Sequence, residues 1–408
     1  MLLNIFKKSL FILSFKILGT IAAFIFTSEV TKKLGASESG LFFFFSSFVI
    51  LSATIARFGT DNTIVKFYDK KSSFYFQQLK LLFFLSVICT LLFYLFLVSS
   101  SGLFIEQLSG FFMISCFFIS VLATSVITSF SFFYQAQQKY IKSILMANVI
   151  FNFIFALILF FIEIVDATQI ITLFAALNLI LFFIVMVVFN NKLFISRRSP
   201  FPPGYLVSSF SLWLNTIQNQ VLANYPILFG VIWLTEAQIS FLGVSNRISL
   251  LISFALLAVN FVLAPKLRAL LKDNLVQESR VLVRKITWLS ISVSSFVVFL
   301  SVNYSEFILS FFGNEFVNAQ DVLLYFLLAQ WLNASSGPVA LLLIFSEKEK
   351  MVLFSTTLSL ICVILLFPIL VSSYGVVGAS VAVFLSSLVR NLLLVFMVKI
   401  VHGYWIFL

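Results

Sequence analysis

Apolar runs alternate with short polar or charged breaks along almost the whole chain. They fall at about 9–30, 40–58, 79–100, 110–134, 143–162, 168–189, 205–233, 239–262, 287–304, 320–345, 351–371 and 374–398. At 1.5 Å of rise per helical residue, each is of a length to cross a hydrocarbon layer of about 30 Å. A segment inside lipid must satisfy its backbone N–H and C=O groups internally, so each run predicts a helix. The pattern therefore predicts an all-α, polytopic membrane protein with about twelve transmembrane helices. Asn190–Gly204 is the one clear linker, holding Lys192, Arg197, Arg198, Pro200, Pro202 and Pro203. It divides the chain into an N-terminal lobe, 1–198, and a C-terminal lobe, 199–408, of six helices each.

Composition agrees: 61% of residues are hydrophobic and 10% charged, outside the range of soluble globular classes. The net charge of +11 would suit a nucleic-acid partner, but the basic residues form no stripe. They fall in clusters at alternate gaps between the apolar runs. If the N-terminus is cytoplasmic, all but five of the 26 Lys and Arg residues lie in cytoplasmic segments. Lys32 and Lys33 fall on the opposite side, and Lys16, Arg247 and Arg390 fall within runs. This positive-inside bias puts both termini in the cytoplasm. Lys7 and Lys8 precede an apolar stretch that reaches about Val30 without an Ala-x-Ala cleavage pattern, so it reads as a retained first span.

Lys16, Arg247 and Arg390 carry the candidate chemistry. Each lies seven to nine residues inside its run, about 10–13 Å from the nearer end. A cation at mid-membrane costs about 2.5–3.5 kcal/mol on insertion scales, so something must offset it. Facing a hydrated cavity, these groups would attract a phosphorylated substrate, and arginine's planar fork suits paired phosphate oxygens. Snorkelling or an internal ion pair would serve equally, and Lys16 has the reach to snorkel. Lys16, Thr20 and Thr27 recur at helical spacing. Run seven has a longer stripe, Ser208, Ser211, Asn215 and Asn219, with Gln218 and Gln220 beside it. Such a face turns to water or to a neighbouring helix.

Arg57 and Asp61 close run two at an i, i+4 spacing with Gly59 between them. They pair if the helix continues past Gly59, and read either as a gate or coupling site or as an interfacial ion pair. Asn148 and Asn152 in run five are similarly two-sided. The basic loop 265–285 either lies on an anionic leaflet or simply satisfies topology. Cys89, Cys116 and Cys362 sit in apolar runs, and His402 is the single histidine, so no metal site is expected. No P-loop, dinucleotide turn or nucleophile elbow is visible. No cofactor is expected, and an ion gradient, of protons or sodium, is the natural drive.

The two halves resemble each other weakly. Gln135–Tyr140 and Phe345–Lys350 occupy corresponding gaps, as do Leu34–Gly40 and Leu234–Gly243. Six spans is an even number, so a pseudo-two-fold would run along the membrane normal.

Leu34–Gly40 after run one, Phe312-Gly313 through Ala319 before run ten, Pro338 with Phe345–Lys350, and Tyr374-Gly375 through Gly378-Ala379 carry a further likeness. In their order and spacing the chain resembles the polysaccharide-export branch of the multidrug/oligosaccharidyl-lipid/polysaccharide exporter superfamily, most closely the O-antigen repeat-unit flippases. The resemblance implies two lobes in a V around a central cavity, in a bacterial inner membrane. It implies alternating-access transfer of undecaprenyl-diphosphate-linked oligosaccharide from the cytoplasmic to the outer leaflet. Lys16, Arg247, Arg390, Asn215 and Asn219 would then meet substrate, and Arg57 and Asp61 would gate or couple. Membrane lipids and other polysaccharide-assembly membrane proteins are the partners implied. Many relatives carry an acid near the end of span seven, where this chain reads Leu222-Ala-Asn224-Tyr225-Pro226. The chain is also short beside the related lipid II flippases, which have two further helices.

Two other functions fit less well. A multidrug or cation extruder of the same superfamily would favour acidic cavity residues, whereas the charges inside these spans are basic. An O-antigen polymerase, an enzyme, would need a large external loop, and the longest here is about 305–319.

Overall fold

The computed structural model describes residues 2–67, 74–99, 108, 110–195, 200–273 and 275–407. Among these every regular element is helical. In chain order they are α1 (Leu2–Ala56), α2 (Thr60–Phe67), α3 (Tyr75–Ser99), α4 (Phe111–Ala136), α5 (Tyr140–Ile144), a π turn (Leu145–Val149), α6 (Ile150–Phe161), α7 (Ala167–Ile195) and α8 (Tyr205–Gly230). There follow α9 (Glu236–Lys272), α10 (Val276–Asn303), α11 (Ser305–Ser310), a 3-10 turn (Asn314–Ala319), α12 (Gln320–Ser335), α13 (Val339–Phe345) and α14 (Glu349–His402). A helix covers each apolar run. Among the described residues, by length and apolarity alone, seven helices can cross a membrane, or eight when the bent pair Asn314–Ser335 and Val339–Phe345 is one span. The protein is an all-α, multi-pass membrane protein.

Two of these helices each take in two of the twelve runs. Straight, the 55 residues of α1 would extend for about 80 Å, far more than a bilayer needs. The chain breaks at Gly35 (φ 71°, ψ −176°), and α14 breaks likewise at Gly375 (φ 56°, ψ −137°). Positive φ costs glycine nothing and strains other residues, so each glycine turns one long helix into two.

The chain forms two compact units, Ser14–Ile232 and Trp233–Leu408 with Met1–Leu13. The division follows α8, whereas the proline-rich linker precedes it. In the first unit the core is aromatic. Phe42, Phe44, Phe45, Phe93, Phe117 and Phe155 are fully buried. Phe93 stacks on Phe117 at 3.9 Å between centroids, and Phe45 meets Phe117 edge-on at 5.8 Å. The bend of α1 is tied to the start of α7. Lys33 Nζ donates to the Ile162 carbonyl (2.8 Å), and the Ala167 N–H donates to Glu38 Oε2 (3.0 Å). Asp166 caps α7, accepting from the Gln169 N–H (2.8 Å) and the Thr168 hydroxyl (2.7 Å). Those two bonds, the hydroxyl's first, hold its carboxyl below the usual aspartate range.

In the second unit, α9 opens on a capping box between Thr235 and Gln238. The carboxyl-terminal tail folds back onto a core of Leu267, Val283, Leu342, Leu343 and Val398 through Tyr404 and Ile406. Arg280 lies over the Tyr404 ring (5.2 Å) and Lys399 over Trp405 (4.2 Å). Basic residues near this end thus cover aromatic faces.

Candidate functional site

The best-built polar site stands where α1, α2, α3 and α8 meet in the first unit. The chain leaves α1 through Arg57, Phe58 and Gly59 and re-enters a helix at Thr60. Gly59 has a positive φ of 66°, and a Cβ there would lie 2.2 Å from the Ser209 carbonyl oxygen and 2.7 Å from the Trp213 nitrogen. Only glycine lets α8 come this close. Trp213 Nε1 donates to the Ile55 carbonyl (3.2 Å), fixing the same approach from the other side.

Arg57 and Asp61 meet here. Arg57 Nε lies 2.8 Å from Asp61 Oδ2, with side chains 11% and 12% exposed. The turn at Gly59 replaces the continuous helix that the i, i+4 spacing assumed, yet the pair forms. Arg57 also donates to the Thr54 hydroxyl (3.1 Å). Asp61 Oδ1 is buried and has no hydrogen-bond partner among the described residues. Around the pair runs a chain of hydrogen bonds. The Tyr205 hydroxyl donates to Gln78 Oε1 (3.2 Å), Gln78 Nε2 to the Thr60 hydroxyl (2.7 Å), and the Thr60 hydroxyl to the Arg57 carbonyl (2.5 Å). Tyr205, Gln78 and Thr60 are fully buried. The arrangement joins the first three elements of the unit to α8 through buried polar side chains.

The sequence did not single out Gln78 or Tyr205. Both lie at the mouth of an apolar run, where a polar group looks interfacial, and only the fold brings them together. The second unit has a comparable network. Asn391 Nδ2 donates to Asn333 Oδ1 (2.7 Å), and the Ser336 hydroxyl donates to Asn391 Oδ1 (2.8 Å). It ties α14 to the break between α12 and α13, beside Arg390 in sequence. The Asn333–Asn391 pair was likewise missed, since lone asparagines in two distant runs carry no spacing signal.

The other expected residues are distributed as follows. Lys16 is exposed on α1, in the first unit. Arg247 on α9 and Arg390 on α14 are partly buried in the second. The polar positions accompanying Lys16 are satisfied within their own helix: Thr20 donates to the Lys16 carbonyl (3.0 Å) and Thr27 to the Ala23 carbonyl (2.7 Å). On α8, Asn219 Nδ2 donates to the Asn215 carbonyl (2.8 Å) and side-chain oxygen (3.1 Å), with Asn215 itself exposed. Asn152 glues helices, its Nδ2 donating to the Gly19 carbonyl (3.2 Å). Arg197 and Arg198 lie outside the described residues, as do the side chains of 253–266, of Arg268 and Lys272 in the basic loop, and of Asn148. Among the described residues no group of three His, Cys, Asp or Glu side chains converges as metal ligands would.

No protein-family model and no curated protein matches the sequence. Solved structures do match. An inward-facing multidrug-resistance MATE transporter of the MOP superfamily superposes with a TM-score of 0.70 at 14% identity, covering 95% of this chain and 94% of that one. The lipid II flippase MurJ, in an inward closed conformation, gives 0.66 at 17% identity, covering 97% and 87%. A MOP-superfamily transporter from Pyrococcus furiosus, described by its reverse polarity of binding pocket, gives 0.64 at 14%, covering 98% and 95%. The chain shares the fold of these solved transporters. At these identities the likeness concerns architecture, and it spans nearly the whole chain, so both units take part in it.

Proposed function

We propose that the chain is a flippase that carries undecaprenyl-diphosphate-linked oligosaccharide repeat units from the cytoplasmic to the outer leaflet of a bacterial inner membrane, by alternating access between two lobes. The observation that carries this reading is the sign of the charge within the spans of a MOP-type fold. Lys16, Arg247 and Arg390 are cations placed where lipid would penalise them, and their sign matches the charge of a diphosphate. Asn215 and Asn219 would add neutral hydrogen bonds to sugar or phosphate. Arg57 and Asp61 would gate or couple to an ion gradient, Asp61 Oδ1 having no hydrogen-bond partner among the described residues. The fold likeness to a lipid II flippase supports a lipid-linked substrate.

The test is transport by the purified protein in liposomes carrying a fluorescent lipid-diphosphate oligosaccharide. Movement to the opposite leaflet without chain lengthening is expected, and Arg247→Ala or Arg390→Ala should cut it by at least about tenfold while the protein still inserts. Full transport by both variants would remove the arginines from the mechanism. Polymerised product would make the chain an enzyme instead.

A multidrug antiporter is the second reading. It is favoured by the likeness to a multidrug-resistance MATE transporter and by the buried carboxylate of Asp61. Efflux of an organic cation from the same liposomes, with no movement of the lipid, would decide for it.

A further inference from the structure

Within the first unit, α4, the α5–α6 segment and α7 leave an apolar cavity of about 240 Å³ between them. Its ends follow from the directions of these helices. α4 runs into the short loop before α5, so Tyr134 and Lys142 lie near that loop, as does Phe189 late in α7. Tyr134 and Phe189 confirm the neighbourhood, their rings meeting edge-on at 5.2 Å. Ile127, Ile150 and Leu181 stand seven to eight residues away along each helix, about 11–12 Å deeper. The cavity is therefore a slot with a cationic and phenolic mouth and a hydrocarbon body.

Three features mark it as a place for a bound molecule. The helix winds as a π turn over Leu145–Val149, and Leu145 and Met146 line the slot there. Such turns widen the gap beside a helix and recur at functional sites. The wall opens outward, since Ile150, Ile184 and Val188 are 38%, 53% and 56% exposed. In a membrane-spanning segment that outward side meets lipid tails. Lys142 is exposed and in no ion pair among the described residues.

We infer that this slot holds an anionic phospholipid, one acyl chain lying between α4, α6 and α7 and the phosphate against Lys142 Nζ and the Tyr134 hydroxyl. A methylene chain fits a narrow apolar groove that has no polar group in its depth. A sugar or a nucleotide would leave its hydroxyls unpaired there. The positive mouth selects an anionic over a zwitterionic head. The site lies wholly in one unit and does not depend on the flippase reading.

The test uses the full-length protein in nanodiscs with phosphatidylglycerol carrying a photoreactive group on its acyl chain, the labelled peptides being mapped by mass spectrometry. Label is expected in 140–150 and 181–189. Lys142→Glu should lower it by at least about fivefold. Val188→Trp, at an exposed position that narrows the slot, should lower it while leaving the protein monodisperse. Equal labelling by the matching phosphatidylcholine probe, or label unchanged in both variants, would overturn the inference. So would labelling by a photoreactive polyprenyl phosphate with none by phosphatidylglycerol.

Discussion

At the scale of the residue, the Arg57–Asp61 pair decides most. Each partner is nearly sealed from solvent, so removing one strands the other's charge. Asp61→Asn is expected to destabilise the protein by about 3–5 kcal/mol, read as a fall in melting temperature in detergent. The double change Arg57→Leu with Asp61→Leu should be milder than either single change, and a double variant as destabilised as the sum of the two would show that the pair is not the coupled unit described. Gly59→Ala meets two obstacles, a positive φ and the backbone of α8, and should abolish monodisperse protein. The sequence offered Arg57, Asp61 and Gly59 because charge and glycine at a span's end are conspicuous. It did not offer Gln78 and Tyr205, whose partnership depends on α3 and α8 arriving at one place from positions 127 residues apart.

At the scale of the element, the apolar runs made the long helices legible, since lipid allows a spanning chain little else, whereas the short α2 and α11 fall between runs. Their joins were less legible. Gly35 and Gly375 each sit in an uninterrupted helical stretch, and nothing in composition separates a bend there from a loop. The cap of α7 carries a pH dependence. Asp166 has its carboxyl lowered in the folded state, so its contribution is complete above the ordinary aspartate range and is lost as pH falls through the folded value. Asp166→Ala should cost about 1 kcal/mol at neutral pH and progressively less toward strong acid. Thermal unfolding compared at neutral and acid pH would show it. A deficit independent of pH would place the effect in packing.

At the scale of the whole molecule, we propose from the positive charge at alternate gaps that both ends of the chain lie on one side of the membrane. Reporter fusions at residue 408 and in the gap before α5 should both read cytoplasmic, and a fusion near Lys33 should read external. A cytoplasmic signal near Lys33 would invert the proposed direction of transport. The architecture shared with solved MOP-superfamily transporters was legible from loosely spaced glycine and aromatic motifs at the span ends. The prolines of 200–203 lie one helix before the place where the compact units part.

That displacement has a practical outcome for anyone dissecting the protein. α8 is welded to the first bundle by backbone contact at Gly59 and by the bonds of Trp213 and Tyr205. A protease nick in the proline passage would sever the chain yet leave its seventh run clinging to the first six. Separately expressed fragments should reassemble best when the cut falls between Ile232 and Trp233.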